Sequence, residues 1–303
     1  MSQGHRPLSV LAACCAVSTV LGSVHAFSVF VPEWEQLLGA DRAGVSLVYS
    51  IALIALTCAV LLGYRVYRQL PPAALFAGVG IAAAAGLVLS AQAVTLGTLY
   101  LTYGLVFGGA NGVGYGYALQ LSGQALPKHR GAAMSIVTAC YAVGATLAPV
   151  LFVRLIANGG NALALGAAAV TVGVVCCLAA MVAWHAGARF ESESASAVRA
   201  LPKPLARARS VLWLAYGSAV LSGLMVIGHA FSLAAWRGLD THSAAWATTV
   251  VAFGNMLGGF SAGLLADRLS SRVLLIMLPL FSMLGLALLA LPLNLVTWLL
   301  RYT

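Results

Sequence analysis

The sequence predicts an all-α membrane protein, a bundle of apolar helices that cross a bilayer. Three observations carry that expectation. The composition is 61% hydrophobic and 8% charged, with a mean hydropathy of +0.97, whereas a soluble domain carries about 25% charged residues. The apolar residues gather into blocks near the ~20-residue length that a bilayer span requires. The basic residues fall between those blocks and favour alternate gaps. A soluble protein with an unusually large core would need charge over its outer faces, and there is too little here to cover them.

Nine blocks run in order at 8–31, 44–64, 72–92, 95–120, 131–155, 161–186, 210–233, 243–266 and 272–295. The first has the look of a cleaved leader, with His5 and Arg6 before the apolar stretch and Val24-His25-Ala26 at its end. Against that, His25-Ala26-Phe27-Ser28 recurs as His229-Ala230-Phe231-Ser232 in the seventh block. A leader has no reason to resemble a later helix, so the first block is read as a retained span. The tail from Leu295 to Thr303 is too short for another.

Orientation follows the bias of Lys and Arg toward the cytoplasm. With the N-terminus inside, the cytoplasmic side receives Arg6, Arg65, Arg68, Lys128, Arg130, Arg189, Arg199, Lys203, Arg207, Arg209, Arg268 and Arg272. The outside receives Arg42, Arg154, Arg237 and Arg301. Twelve against four fits an inner (plasma) membrane protein with a cytoplasmic N-terminus.

Organisation follows from the linker. Residues 1–187 form an N-terminal six-helix bundle, 188–209 a polar cytoplasmic linker with Arg189, Glu191, Glu193, Pro202 and Pro204, and 210–303 three further helices. The His-Ala-Phe-Ser pair is one half of an internal repeat. The other is Gly63-Tyr64-Arg65-Val66-Tyr67-Arg68, which lies 200 residues before Gly263-Leu264-Leu265-Ala266-Asp267-Arg268.

Several function classes are disfavoured. The net charge of +9 is scattered in pairs and forms no basic stripe, so nucleic acid is not an expected partner. Cys14, Cys15, Cys58, Cys140, Cys176 and Cys177 all lie inside apolar blocks, without zinc-ligand or redox-motif surroundings, and read as small packing residues. No P-loop, metal cluster or nucleophile–base set is present, so neither an ATP-driven pump, a hydrolase nor a cofactor is expected.

Polar groups inside a membrane are costly and mark candidate sites. In the fourth block five glycines within nine positions suit close helix packing, and Asn111, Tyr115, Tyr117 and Gln120 are the polar residues around them. In the fifth, Gly144 and Pro149 predict a bend. Tyr49, Tyr141 and Asn255 are candidates to face a central cavity. His25 and His229 occupy matching places of the repeat; histidine titrates near neutral pH, which suits proton coupling. The plainer reading, an imidazole bonded to a carbonyl or set near the headgroups, is the preferred one. Tyr64 and Tyr67 read as interface anchors.

Gly263-x-x-x-Asp267-Arg268-x-x-x-Arg272 resembles the cytoplasmic loop signature of the major facilitator superfamily. Its first-half copy departs from the pattern, with Tyr67 where Asp is expected. The run Gly108-Gly109-Ala110-Asn111-Gly112-Val113-Gly114-Tyr115-Gly116-Tyr117, then Lys128-His129-Arg130-Gly131-Ala132-Ala133, resembles the oxalate/formate antiporter and monocarboxylate carrier branch. So does the stretch 27–50, with Glu33, Glu35, Arg42 and Val45-Ser46-Leu47.

The resemblance implies a helical bundle of two parallel six-helix halves with alternating access. About nine helices, six plus three of an expected six plus six, then imply a C-terminally truncated carrier. It implies a small-molecule substrate, first of all small organic anions moved with protons or by exchange, with the lipid bilayer as partner. His25, Tyr49, Asn111, Tyr115, Gln120, Tyr141, His229 and Asn255 would line the cavity; Arg130, Gly263, Asp267, Arg268 and Arg272 would form a cytoplasmic gate. The branch usually places an arginine in the eighth helix, where this chain has Asn255-Met256-Leu257-Gly258-Gly259-Phe260. A buried carboxylate without a cationic partner is expensive. Two alternatives therefore stand beside the first: an exporter of neutral or amphipathic compounds, and a truncated or partner-dependent product that transports nothing.

Overall fold

Prolines, glycines and short polar side chains decide where the helices begin and end. The computed structural model describes residues 7–190, 203–239 and 241–290. Helix α1 (Pro7–Leu21) passes directly into an eight-residue 3₁₀ stretch, Gly22–Val29, longer than such runs usually are. Helix α2 (Val31–Leu38) is closed by Gly39 at φ +57°, the left-handed C-cap that glycine adopts without strain. Asp41 opens α3 (Arg42–Leu62) by accepting the Gly44 N–H at 3.0 Å. A single turn, α4 (Tyr64–Tyr67), precedes α5 (Pro72–Ala91), whose proline sits in the first turn, where no N–H is needed.

The next run begins as α6 (Leu96–Leu99), capped by Thr95 through the Thr98 N–H at 3.1 Å. It widens into a π-helix over Tyr100–Phe107 and tightens again as α7 (Gly108–Ala125). After a 3₁₀ turn at Pro127–His129, α8 (Arg130–His185) is two helices, 130–158 and 161–185, parted at Gly159 and Gly160. The described residues end with α9 (Lys203–Trp236), α10 (Thr241–Ala266) and α11 (Ser271–Ala290).

Among the described residues all regular structure is helical. Four runs among the described residues are long and apolar enough to cross a membrane: Pro7–Val29, Arg42–Leu62, Pro72–Ala91 and the helix pair within Pro127–His185. Ser210–Gly223 within α9 and Arg272–Leu288 within α11 are shorter apolar stretches. The fourth sequence block is divided by its π segment. The bend expected at Gly144 and Pro149 is not where the chain breaks. Helical dihedrals continue through both, and the interruption comes at Gly159–Gly160, where Gly160 turns to φ +67°. A proline forfeits one backbone bond, whereas a left-handed glycine reverses the chain outright.

The chain falls into two compact units, 1–192 and 193–303. The first has a continuous core built on close helix approach. Glycines 104, 108, 112 and 116 recur every fourth residue, and the first three face α3. A Cβ on Gly108 would stand 2.6 Å from the Ala52 carbonyl oxygen, and one on Gly112 would strike the Leu56 carbonyl. Helices α1 and α8 meet the same way, with Gly22 against the Tyr141 carbonyl and Gly144 against that of Thr19. Such contacts supply the attraction that apolar side chains cannot, because lipid tails are equally apolar. In the second unit α10 packs against both α9 and α11.

Candidate functional site

Where α1 changes from α to 3₁₀ geometry, backbone carbonyls become available to side-chain donors, and in a bilayer they need them. Two are taken up. The Leu21 carbonyl accepts Asn111 Nδ2–H at 2.6 Å, and the Val24 carbonyl accepts the Tyr103 hydroxyl at 3.3 Å. Asn111 is fully buried and its other amide atom is also engaged, with Oδ1 accepting the Tyr141 hydroxyl at 3.0 Å. Tyr141 stacks beside Tyr115 with ring centres 4.5 Å apart, and the Tyr115 hydroxyl lies 3.3 Å from Thr138 Oγ1.

His25 completes the cluster. Its ring stands edge-on to Tyr141 at 5.5 Å, and Nδ1 is 2.6 Å from the Tyr49 hydroxyl. Phe27 stacks on Tyr49 from the other side at 5.4 Å. Five residues singled out in the sequence, His25, Tyr49, Asn111, Tyr115 and Tyr141, are thus joined across the 3₁₀ stretch after α1 and helices α3, α7 and α8. The expected partner of His25, a carbonyl or the headgroups, is replaced by a hydroxyl. No lysine or arginine takes part in these contacts.

The remaining candidates lie apart. Gln120 is half-buried on α7 and makes none of these contacts. Asn255 lies in the second unit, in a 340 Å³ pocket with Ser222, Ser282 and apolar neighbours from α9, α10 and α11. His229 is on α9, with its side chain outside the described residues, as are Glu191, Glu193, Arg199 and the tail. Of the expected gate, Gly263 is buried in α10, while Asp267, Arg268 and Arg272 are exposed around the turn into α11. Arg130 is exposed at the start of α8, its stem against Gly123.

Three features escaped the sequence reading. Tyr103 is buried in the cluster and lies eight residues before Asn111, a helical spacing that could have pointed to it. Glu33 Oε2 accepts the Asn161 N–H at 2.7 Å, and Asn161 Nδ2 donates to the Phe30 carbonyl at 2.8 Å. These bonds clasp the start of helix 161–185 to the segment after α1. The third is a correction: Tyr67 is no interface anchor. It is 1% exposed, packed among Tyr117 and Phe190 with ring centres 5.2 and 6.0 Å away, and burial pushes its phenol up to about 12. Aromatic packing fills the place where the repeat has Asp267. Tyr64 does remain exposed.

The cluster can bind through hydroxyls, an amide and an imidazole, and the His25 ring can donate or accept. Among the described residues no three His, Cys, Asp or Glu side chains are placed to hold a metal ion.

Comparison with known proteins agrees in kind. The Major Facilitator Superfamily profile matches residues 8–302. The chain is also similar to an uncharacterized MFS-type transporter, YhjX, of Escherichia coli (strain K12). The two are 26% identical over 293 residues, which cover 92% of this chain and 71% of that protein.

Proposed function

Because the chain belongs to the major facilitator superfamily, we propose that it carries small organic anions across the inner membrane together with a proton held at His25. The transporter class follows from the family; the substrate and the proton rest on one observation. His25 Nδ1 and the Tyr49 hydroxyl, 2.6 Å apart, belong to a cluster of neutral groups. A carboxylate entering such a site lacks a cationic partner unless it brings a proton. Once protonated, both imidazole nitrogens donate. Tyr49 must then accept from Nδ1 and turn its own proton toward another acceptor, such as a carboxylate. Anion and proton would each favour the binding of the other.

The same proposal takes the chain to cross the bilayer about nine times from a cytoplasmic N-terminus, in two parts joined by the 188–209 linker. It takes Arg130, Asp267, Arg268 and Arg272 as groups that hold the cytoplasmic side closed. An acid at a helix end with arginines nearby can make and release charge-assisted bonds.

A second reading, export of neutral or amphipathic compounds, is favoured by the surroundings of Asn255. Its pocket offers Ser222, Ser282 and apolar groups, with no charge. Purified protein in liposomes, assayed for uptake of labelled acetate and lactate with and without an acid-outside gradient, separates the two. The first reading expects gradient-stimulated uptake, cut at least tenfold in His25→Gln. Uptake indifferent to the gradient, or movement of neutral amphiphiles alone, favours the second. If no solute moves, both fail.

A further inference from the structure

All six cysteines lie in apolar blocks as small packing residues would, but two of them meet. The side chains of Cys15 on α1 and Cys140 on α8 are neighbours, and Thr19 lies beside Cys140. The backbone explains the meeting. Gly144 touches Thr19 main-chain atoms, and Cys140 and Cys15 each lie one helical turn before those residues, on the faces that cross. Their depths agree as well. Cys15 is eight residues into α1 and Cys140 ten into α8, about 12 and 15 Å along their helices at 1.5 Å per residue. A disulfide requires α-carbons roughly 4.4–6.8 Å apart, and a crossing where glycine meets backbone brings helices that close. Both thiols are half-buried rather than sealed, unlike Cys14.

We infer that Cys15 and Cys140 form an oxidisable dithiol that organic hydroperoxides, the membrane-soluble class of peroxide, convert to a disulfide tying α1 to α8. One thiol attacks the peroxide oxygen; the O–O bond breaks, an alcohol leaves and a sulfenic acid forms. The second thiol then attacks that sulfur, the S–S bond forms, and water departs with its proton. In sum two thiols are oxidised and one hydroperoxide is reduced to an alcohol and water. The link would join the two helices that bring His25 and Tyr141 together, Tyr141 being the next residue after Cys140.

The test is independent of transport. The full chain in liposomes is treated with cumene hydroperoxide, digested with trypsin without reductant and read by mass spectrometry. Cleavage after Arg130 and Arg154 gives a fragment whose only cysteine is Cys140; cleavage after Arg42, the Arg6–Pro7 bond being resistant, gives the fragment 1–42 with Cys14 and Cys15. The expected result is a reductant-sensitive link between these fragments in most of the protein. Fragmentation should place it on Cys15. It should vanish in Cys15→Ser and persist in Cys14→Ser. A link carried by Cys14, or sulfinic and sulfonic products with no link, overturns the inference. Fragmentation of the wild-type peptide decides the matter even if a serine variant fails to accumulate.

Discussion

The two units use glycine differently. In the first, Gly22, Gly108, Gly112 and Gly144 stand against backbone of a neighbouring helix. In the second, Gly217, Gly223, Gly254, Gly258, Gly259 and Gly285 have no atom within 4 Å of the place a Cβ would take. Some polar side chains of the first unit also reach another helix. Asn111, Tyr103 and Asn161 bond across helices, while Ser218 and Ser222 bond carbonyls of their own helix. Helices in lipid associate through close packing and interhelical hydrogen bonds. Among the described residues the first unit carries both kinds of contact, so its stability should depend more sharply on single residues than that of the second.

The sharpest way to break this contrast is Gly144→Ala. The added methyl would strike the Thr19 carbonyl, and overpacking of this kind costs about 3 kcal/mol. A clear fall in the unfolding temperature of the detergent-purified protein is expected; an unchanged one would mean that α1 and α8 do not cross so tightly. Next in size is Asn111→Leu. It leaves the Leu21 carbonyl and the Tyr141 hydroxyl unpaired in the core, at about 2 kcal/mol for buried groups that lose their partners. The same variant should lower anion uptake through the position of Tyr141, without abolishing its dependence on the pH gradient.

How far the sequence reached follows the same line. Hydropathy and charge were enough for an all-helical membrane chain, because lipid imposes its demands on every residue of a span. Cost likewise pointed to His25, Tyr49, Asn111, Tyr115 and Tyr141: polar groups are rare in apolar blocks, and the fold gathers these five. What stayed hidden depends on which faces meet. The Cys15–Cys140 contact follows from the Gly144 crossing. The fate of Tyr67 follows from Tyr117 and Phe190, about 50 and 120 residues away along the chain. Periodicity and composition carry none of this.

A smaller effect sharpens the picture within the first unit. Glu33→Ala removes the acceptor of the Asn161 N–H at the start of helix 161–185, a loss of about 1 kcal/mol by analogy with helix caps. Glu33→Gln keeps an acceptor oxygen and should recover most of it. Equal damage from both, measured as unfolding temperature, would assign the effect to charge rather than to the hydrogen bond.

The smallest expected change is the most informative about the second unit. Gly258→Ala adds a methyl where no atom lies within 4 Å, inside α10, where alanine is favoured over glycine by up to about 1 kcal/mol. The variant should therefore be neutral or slightly more stable. If instead it is as damaging as Gly144→Ala, the open face beside Gly258 is occupied in the membrane. The contrast between the units would then be one of partners rather than of intrinsic packing. Repeating the substitution at Gly223 and Gly285, on the helices either side of α10, would show how far that covered face extends.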